Sequence, residues 1–200
     1  ISLLVSGGHT FLAKIDNEFN YELIGKSLDD AAGEVFDKVA RSLGLDYPGG
    51  PEISRVASTV KESSYKFPRP MIKSNDYNFS FSGLKTSVIN FIKERKLNDS
   101  VVSDIAFDFE NSIIDVLITK TLKAAKDFNI SNIVISGGVS ANKKLRHRFV
   151  VEGKSMNIFF PNIEYSTDNG AMIAYLGFIK SKNDFDNSLV IDPKTSSSFF

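Results

Sequence analysis

Two stretches of this 200-residue chain share one form. Leu4-Val5-Ser6-Gly7-Gly8 and Val134-Ile135-Ser136-Gly137-Gly138 are each a short apolar run ending in Ser-Gly-Gly. Glycines at such a place let backbone N–H groups come close to an anion, and a helix after the second turn adds its positive end. One glycine turn usually does no more than reverse the chain. Two of the same form point to a cleft for a nucleotide or another phosphate-bearing ligand.

Asp168 sits in the polar run Thr167-Asp168-Asn169-Gly170, directly before a helical pattern. It can cap that helix through the backbone amides, or its hard oxygen can ligate a divalent cation or iron. Only His9 and His147 are available as imidazole partners, and they are not at helical spacing. His9 follows the first glycine turn and is expected to bond within it. His147 lies in Lys143-Lys144-Leu145-Arg146-His147-Arg148, the densest positive charge in the chain, which reads as a solvated helix face in preference to an RNA contact. Asp37 and Arg41, four apart, would form an ordinary exposed ion pair. Asn142 would cap a helix or hydrogen-bond a base or ribose.

The elements that must hold these residues follow from periodicity. Ser2–Val5 and Thr10–Ile15 read as strands joined by the glycine turn, with another strand near Tyr21–Gly25. Ser27-x-x-Asp30 predicts a capping box for a helix to about Gly44, with Leu28, Ala31, Ala32, Val35, Phe36, Val39, Ala40 and Leu43 on its buried face. Asp46–Pro51 is a rigid turn, and Pro51 suits the first position of a helix running to about Glu62. Residues 63–78 read as an extended, partly mobile surface loop. Helical patterns follow over Ser82–Leu97 and Val101–Phe128. A strand at Asn132–Ser136, a helix capped by Ser140 and running to about Val151, a strand at Asn157–Pro161 and a helix at Ala171–Lys180 complete the pattern. These residues by themselves imply an α/β nucleotide-binding domain.

With 42% hydrophobic and 24% charged residues, the chain can bury a core as one compact domain or one lobe of two. Lys+Arg and Asp+Glu are equal at 24 each, so there is no global basic field for nucleic acid. The absence of cysteine excludes disulfides, thiolate nucleophiles and cysteine zinc sites, and fits a reducing compartment. The apolar runs are too short to span a bilayer and none has the form of a signal peptide, so a soluble protein with no membrane association is expected. Beginning at Ile1 inside a strand pattern, the chain reads as a fragment.

Several blocks then occur in a telling order. They are Leu3-Leu4-Val5-Ser6-Gly7-Gly8-His9-Thr10, Asp29-Asp30-Ala31-Ala32-Gly33-Glu34, Phe36-Asp37-Lys38, and Leu43-Gly44-Leu45-Asp46-Tyr47-Pro48-Gly49-Gly50-Pro51. Phe67-Pro68-Arg69-Pro70, Phe79-Ser80-Phe81-Ser82-Gly83-Leu84-Lys85-Thr86, Ser136-Gly137-Gly138-Val139-Ser140-Ala141-Asn142 and Thr167-Asp168-Asn169-Gly170-Ala171-Met172-Ile173-Ala174-Tyr175 continue it. Up to about Lys180 the chain resembles the tRNA N6-adenosine threonylcarbamoyltransferase family, formerly labelled a glycoprotease.

The resemblance implies an α/β, actin-like and sugar-kinase-like ATPase fold of two lobes. This chain would be the second, C-terminal lobe, with a helical insertion at roughly 51–128, a loosely held tail over 181–200 and the N-terminal lobe absent. Leu4, Val5, Ser6, Gly7 and Gly8 would bind threonylcarbamoyl-adenylate or an ATP-like ligand, with Asp37, Gly50 and Asn142 completing the pocket. Asp168 would ligate one divalent metal ion, iron or zinc, whose other ligands are two histidines of the absent lobe, so the chain alone should be inactive. The implied reaction is acyl transfer to tRNA, with no general base assigned. A scaffold paralogue and a small ATPase subunit, or a second copy, are the implied partners. The cytoplasm is the implied location, or the mitochondrion if a targeting segment preceded Ile1. The rivals are an actin-like kinase or ATPase, a noncatalytic scaffold subunit, and the older peptidase label, for which no nucleophile is visible.

Overall fold

Burial alternates along Ser2–Val5, with Leu3 and Val5 fully buried and Ser2 and Leu4 only half so, the two-residue period of a strand with one face on a core. In a computed structural model, which describes residues 1–17, 20–63 and 65–181, this strand (β1) lies at the centre of a five-stranded sheet. It pairs antiparallel with β2 (Thr10–Ile15), which pairs antiparallel with β3 (Tyr21–Lys26). On its other side β1 runs parallel to β4 (Asn132–Ser136), and β4 parallel to β5 (Asn157–Phe159). The glycine-turned hairpin is thus the β1–β2 connection. The expected loose tail lies, from residue 182 on, outside the described residues.

Between β3 and β4 come α1 (Ala32–Ser42), α2 (Gly49–Ala57), α3 (Ser82–Lys93) and α4 (Asp99–Asp127). After β4, a 3-10 turn over Gly138–Ala141 leads into α5 (Lys143–Glu152), and α6 (Gly170–Ser181) closes the described chain. Ala32, Val35, Phe36, Val39 and Ala40 repeat at three and four residues, so α1 buries one stripe. Helix α4 is buried nearly all round, and its Phe109 meets Phe36 of α1 edge to face at 5.3 Å. Each fully buried aromatic or aliphatic side chain of this kind contributes ~1.5–3 kcal/mol. The stretch 51–128 holds α3, α4 and most of α2, and it shares one continuous core with the sheet. No described helix is long and apolar enough to cross a membrane.

Four local expectations are corrected. The Ser27-x-x-Asp30 capping box does not form: α1 starts at Ala32 without a side-chain cap, and Leu28 is outside it and exposed. The Asp30 carboxylate is drawn off by Lys38 Nζ (3.1 Å), Lys85 Nζ and Ser82 Oγ, and Ala32 N instead donates to Thr10 Oγ1 at 2.9 Å. Helix α2 begins at Gly49 with Pro48 at its N-cap, which puts Pro51 third in the helix, and it ends at Ala57. Residues 65–78 are anchored rather than loose. Phe67 is buried against Phe91 with its amide on Asp108, and Arg69 bonds Asp108 (3.1 Å) and Asp115 (2.9 Å). Finally, Ser140 is not the cap of α5; Asn142 is, its Oδ1 accepting from Leu145 N at 2.9 Å.

Candidate functional site

Because β1 and β4 are parallel neighbours in register from Ser2↔Val134 to Leu4↔Ser136, their two Ser-Gly-Gly turns leave the same end of the sheet side by side. The approach is close. A Cβ on Gly137, whose φ is +89°, would stand 2.4 Å from Val5 O, so only glycine fits there. Helix α1 is equally tight on the first turn, with Gly33 N donating to Ser6 O (3.1 Å) and no room for a Cβ at Gly33. Val5 is buried in the core and can act at this end only through its backbone, whereas Leu4 is half-buried on the opposite face of the sheet.

The first turn is closed on itself by Ser6 N to His9 O (2.8 Å) and His9 N to Ser6 Oγ (3.1 Å), through the backbone of His9 and not its imidazole. Its tip remains unengaged. Gly7 and Gly8 are exposed, their amides make no hydrogen bond within the described structure, and open space lies where side chains would stand. Nothing in the fold requires glycine at these two positions, and two neighbouring N–H groups without a partner among the described residues are available to an anion.

Asp37 does not form the exposed pair with Arg41. Its Oδ1 accepts from Gly49 N at 2.8 Å and so holds the first turn of α2, with Gly50 next to it facing open space. Asn142 is also engaged inward: its Nδ2 donates to Ser54 Oγ of α2 (2.9 Å) and to Glu110 Oε1 of α4 (2.8 Å). The contacts run from Ser6 and Gly7 to Gly33 of α1, from Asp37 of the same helix to Gly49 beside Gly50, and from Ser54 of α2 to Asn142. Asp168 joins through its neighbour, since Thr167 Cγ2 would lie 3.9 Å from a Cβ on Gly138. The Asp168 side chain is exposed and makes no hydrogen bond or ion pair among the described residues, and the cap of α6 is Asn169, which accepts from Met172 N at 3.0 Å.

The basic run is not the solvated face expected of it. Lys144 reaches Glu110 Oε2 at 3.5 Å and lies over the Phe107 ring at 4.1 Å; burial lowers its pKa and Glu110 only partly offsets this. Arg146 donates to Ser140 O (2.6 Å), Pro161 O (2.8 Å) and Ser166 Oγ (3.2 Å), binding the second turn to the loop that carries Asp168. Arg148 pairs with Asp115 and Glu152. Only Lys143 and His147 of the run are exposed.

Sequence reasoning missed Glu110, whose side chain is 3% exposed. The signal was present: Glu110 adjoins Phe109 on a helix apolar on most sides, so a carboxylate there had to be buried and paired. Asp30 was missed for another reason. Burial pushes its carboxyl up, but hydrogen bonds from Lys85, Ser82 and Lys38 outweigh this and hold it well below the usual carboxylate range, and two of these three partners lie more than fifty residues away.

A groove of about 470 Å³ lies elsewhere, lined by Ile118, Leu122, Lys126, Gly153 and Met156. It adjoins the C-terminal end of α5, the end away from Asn142.

Comparison with known proteins gives consistent findings. The family model for TsaD, tRNA N6-adenosine threonylcarbamoyltransferase, matches residues 1–175. The chain is 47% identical over 180 residues to the tRNA N6-adenosine threonylcarbamoyltransferase of Thermosipho africanus (strain TCF52B), covering 89% of this chain and 54% of that one. It is 52% identical to the protein of the same name from Thermosipho melanesiensis, again covering 89% and 54%, and 44% identical to that of Thermotoga neapolitana, covering 98% and 61%. The chain spans about half the length of the curated relatives it matches. Among solved structures it is similar to T. kodakarensis HypF (TM-score 0.58, 20% identity, 82% of this chain and 21% of that one). It is also similar to the Acidaminococcus fermentans (R)-2-hydroxyglutaryl-CoA dehydratase component A (TM-score 0.54, 16% identity, 90% and 61%). At these identities the likeness fixes the fold alone, an α/β fold of the actin-like ATPase kind.

Proposed function

This chain belongs to the tRNA N6-adenosine threonylcarbamoyltransferase family, and on that premise we propose that the intact protein transfers a threonylcarbamoyl group from threonylcarbamoyl-adenylate to tRNA. The acceptor is N6 of the adenosine beside the anticodon in tRNAs that read codons beginning with A. One observation carries the assignment of this half to donor binding: two glycine turns meet on neighbouring parallel strands, and the Gly7 and Gly8 amides at the tip are unbonded. Their N–H dipoles suit the phosphate of the adenylate, and Asp37 sets the first turn of α2, which carries Gly50.

In the transfer, the adenosine N6 attacks the carbamoyl carbon and a C–N bond forms. The bond from that carbon to the phosphate oxygen breaks, AMP leaves with the electron pair, and the N6 proton is lost. Donors fixed on the phosphate stabilise the departing charge without reorganising. No side chain is assigned as general base.

Asp168 is proposed as one ligand of a divalent metal ion, iron or zinc, which when bound would polarise the donor. Its unengaged carboxylate suits such an ion. However, no group of three or more His, Cys, Asp or Glu among the described residues could hold a metal. The described residues thus offer one ligand and not a site, and no step is routed through the ion. The partners proposed are tRNA together with a scaffold paralogue and a small ATPase subunit, or a second copy, in the cytoplasm.

The test uses the intact protein with threonylcarbamoyl-adenylate and unmodified tRNA, followed by nucleoside chromatography. Threonylcarbamoyladenosine should form, and Asp168→Ala should abolish it. No modified nucleoside from the wild type would sink the transferase reading and favour a scaffold or an ATPase; full activity in the variant would remove Asp168 from the site.

A further inference from the structure

Three acceptors from two separate segments converge on the guanidinium of Arg146. Its Nε donates to Ser140 O at 2.6 Å, while Nη2 donates to Pro161 O at 2.8 Å and to Ser166 Oγ at 3.2 Å. The group also stands over the Phe160 ring, 4.9 Å from its centroid, and that ring meets the buried Phe149 edge to face. Ser140 lies in the 3-10 turn that follows Gly137, whereas Pro161 and Ser166 belong to the stretch that leads to Asp168. A planar fork with fixed donor directions serves both segments at once.

The two segments depend on this side chain unequally. The second glycine turn is held by other bonds, Ser140 N to Gly137 O (2.9 Å), Asn142 N to Val139 O (3.0 Å) and Asn142 Nδ2 to Glu110 Oε1 (2.8 Å). Residues 161–169 are held differently. Among the described residues, the hydrogen bonds that join them to the chain before them are the two from Arg146. Tyr165 N to Asn162 O, Ser166 N to Ile163 O and Ser166 Oγ to Asn162 O all close within the stretch. Packing adds little, since Ile163 and Tyr165 are exposed and Ser166, on Arg146, is the residue buried there.

Resting on the reading above in which Asp168 acts on the donor, we propose that Arg146 is a positioning residue. Its guanidinium clasps the Asp168 stretch to the second glycine turn and so sets where the Asp168 carboxylate stands during transfer. Without it the turn keeps its own bonds and the Asp168 stretch loses its polar tie. Binding of the donor nucleotide and placement of Asp168 are thereby separable. Lysine cannot substitute, because an ammonium is a compact point charge and lacks the fork that reaches both segments.

The experiment takes the intact protein as wild type, Arg146→Ala, Arg146→Lys and Asp168→Ala, with thermal melting as a control on folding. Three quantities are read: amide hydrogen exchange without ligand, affinity for ATP by calorimetric titration, and kcat for threonylcarbamoyl transfer to tRNA at saturating donor. For Arg146→Ala, the amides of 161–169 should exchange about tenfold faster while those of 137–142 keep their rates. Its affinity for ATP should stay within about twofold and kcat should fall about tenfold, because a misplacement of about 1 Å near the chemistry costs that much or more. Arg146→Lys should follow Arg146→Ala. Unchanged exchange over 161–169, or a wild-type kcat in either Arg146 variant while Asp168→Ala is inactive, overturns the proposal. A fall in ATP affinity as large as the fall in kcat makes Arg146 a general support of the fold and overturns it too. Should Arg146→Ala not fold, the same readings on Arg146→Lys decide. Full transfer by Asp168→Ala, or none by the wild type, refutes the reading on which this inference rests, and the inference with it.

Discussion

At Gly7 and Gly8 the fold places no demand on the side chain, whereas at Gly33 and Gly137 it leaves no room for one. Substituting each by alanine therefore separates packing from ligand approach. Gly7→Ala and Gly8→Ala should change stability by no more than ~0.5 kcal/mol, because the space is open and the position exposed. They should weaken nucleotide binding by about tenfold or more, since a methyl group would stand where the ligand must come. Gly137→Ala should instead cost ~2 kcal/mol or more in stability, through its left-handed backbone and the contact with Val5 O. Melting curves and nucleotide titrations on the same samples decide the matter. Equal binding by Gly7→Ala, Gly8→Ala and the wild type would mean that the first turn does no more than reverse the chain.

Among the elements, α5 is held to α4 by a ladder of charges, Lys144 on Glu110 and Arg148 on Asp115, and Asp115 also takes Arg69 from the anchored 65–78 segment. Removing the charge at Asp115 leaves two half-buried guanidinium groups short of a partner. Asp115→Asn should cost ~1–2 kcal/mol, discounted for the solvent that reaches all three groups. Urea unfolding measures this, and amide exchange should speed up in α5 more than in α1; uniform exchange would refute the ladder as the tether of α5. The elements themselves were largely legible beforehand, because a two-residue period exposes β1 and a three-and-four spacing exposes α1 and α4. What could not be read was the use of each polar side chain. The capping box at Ser27 failed because Asp30 had three better partners, and the basic run seemed solvated because Glu110 and Asp115, which take Lys144 and Arg148, lie on α4 more than thirty residues away. Likewise, the pattern that marked Asn142 as a candidate gave no sign that Glu110 and Ser54 would claim its amide. Local spacing determines elements, while polar pairing is decided by the packing of distant ones.

For the molecule as a whole, two loop carboxylates, Asp76 against α4 and Asp30 against α1 and α3, make stability depend on acid. Hydrogen bonds from Ser74 and then Lys120 hold Asp76 down to about 2 from its ordinary 3.8, and Asp30 is depressed further in the same direction. A depressed carboxylate stabilises the fold above its unfolded pKa, and that contribution disappears as pH falls through the folded one. Chemical-denaturation stability should thus be flat above about pH 5 on this account, and fall from about pH 4 toward pH 2. Asp76→Asn should flatten part of the decline, and an unchanged acid limb in that variant would contradict the assignment to Asp76. Asp76 lies against Lys120 of α4, so its part of the acid transition reports on the fold.

The claim on which everything else depends is that the donor nucleotide binds at the end of β1 and β4, and backbone amide chemical shifts of the intact protein test it directly. On titration with a nonhydrolysable ATP analogue, the account predicts the largest shifts at Gly7, Gly8, Gly50 and Gly138. Shifts centred instead on Ile118, Gly153 and Met156, in the groove at the far end of α5, would contradict it.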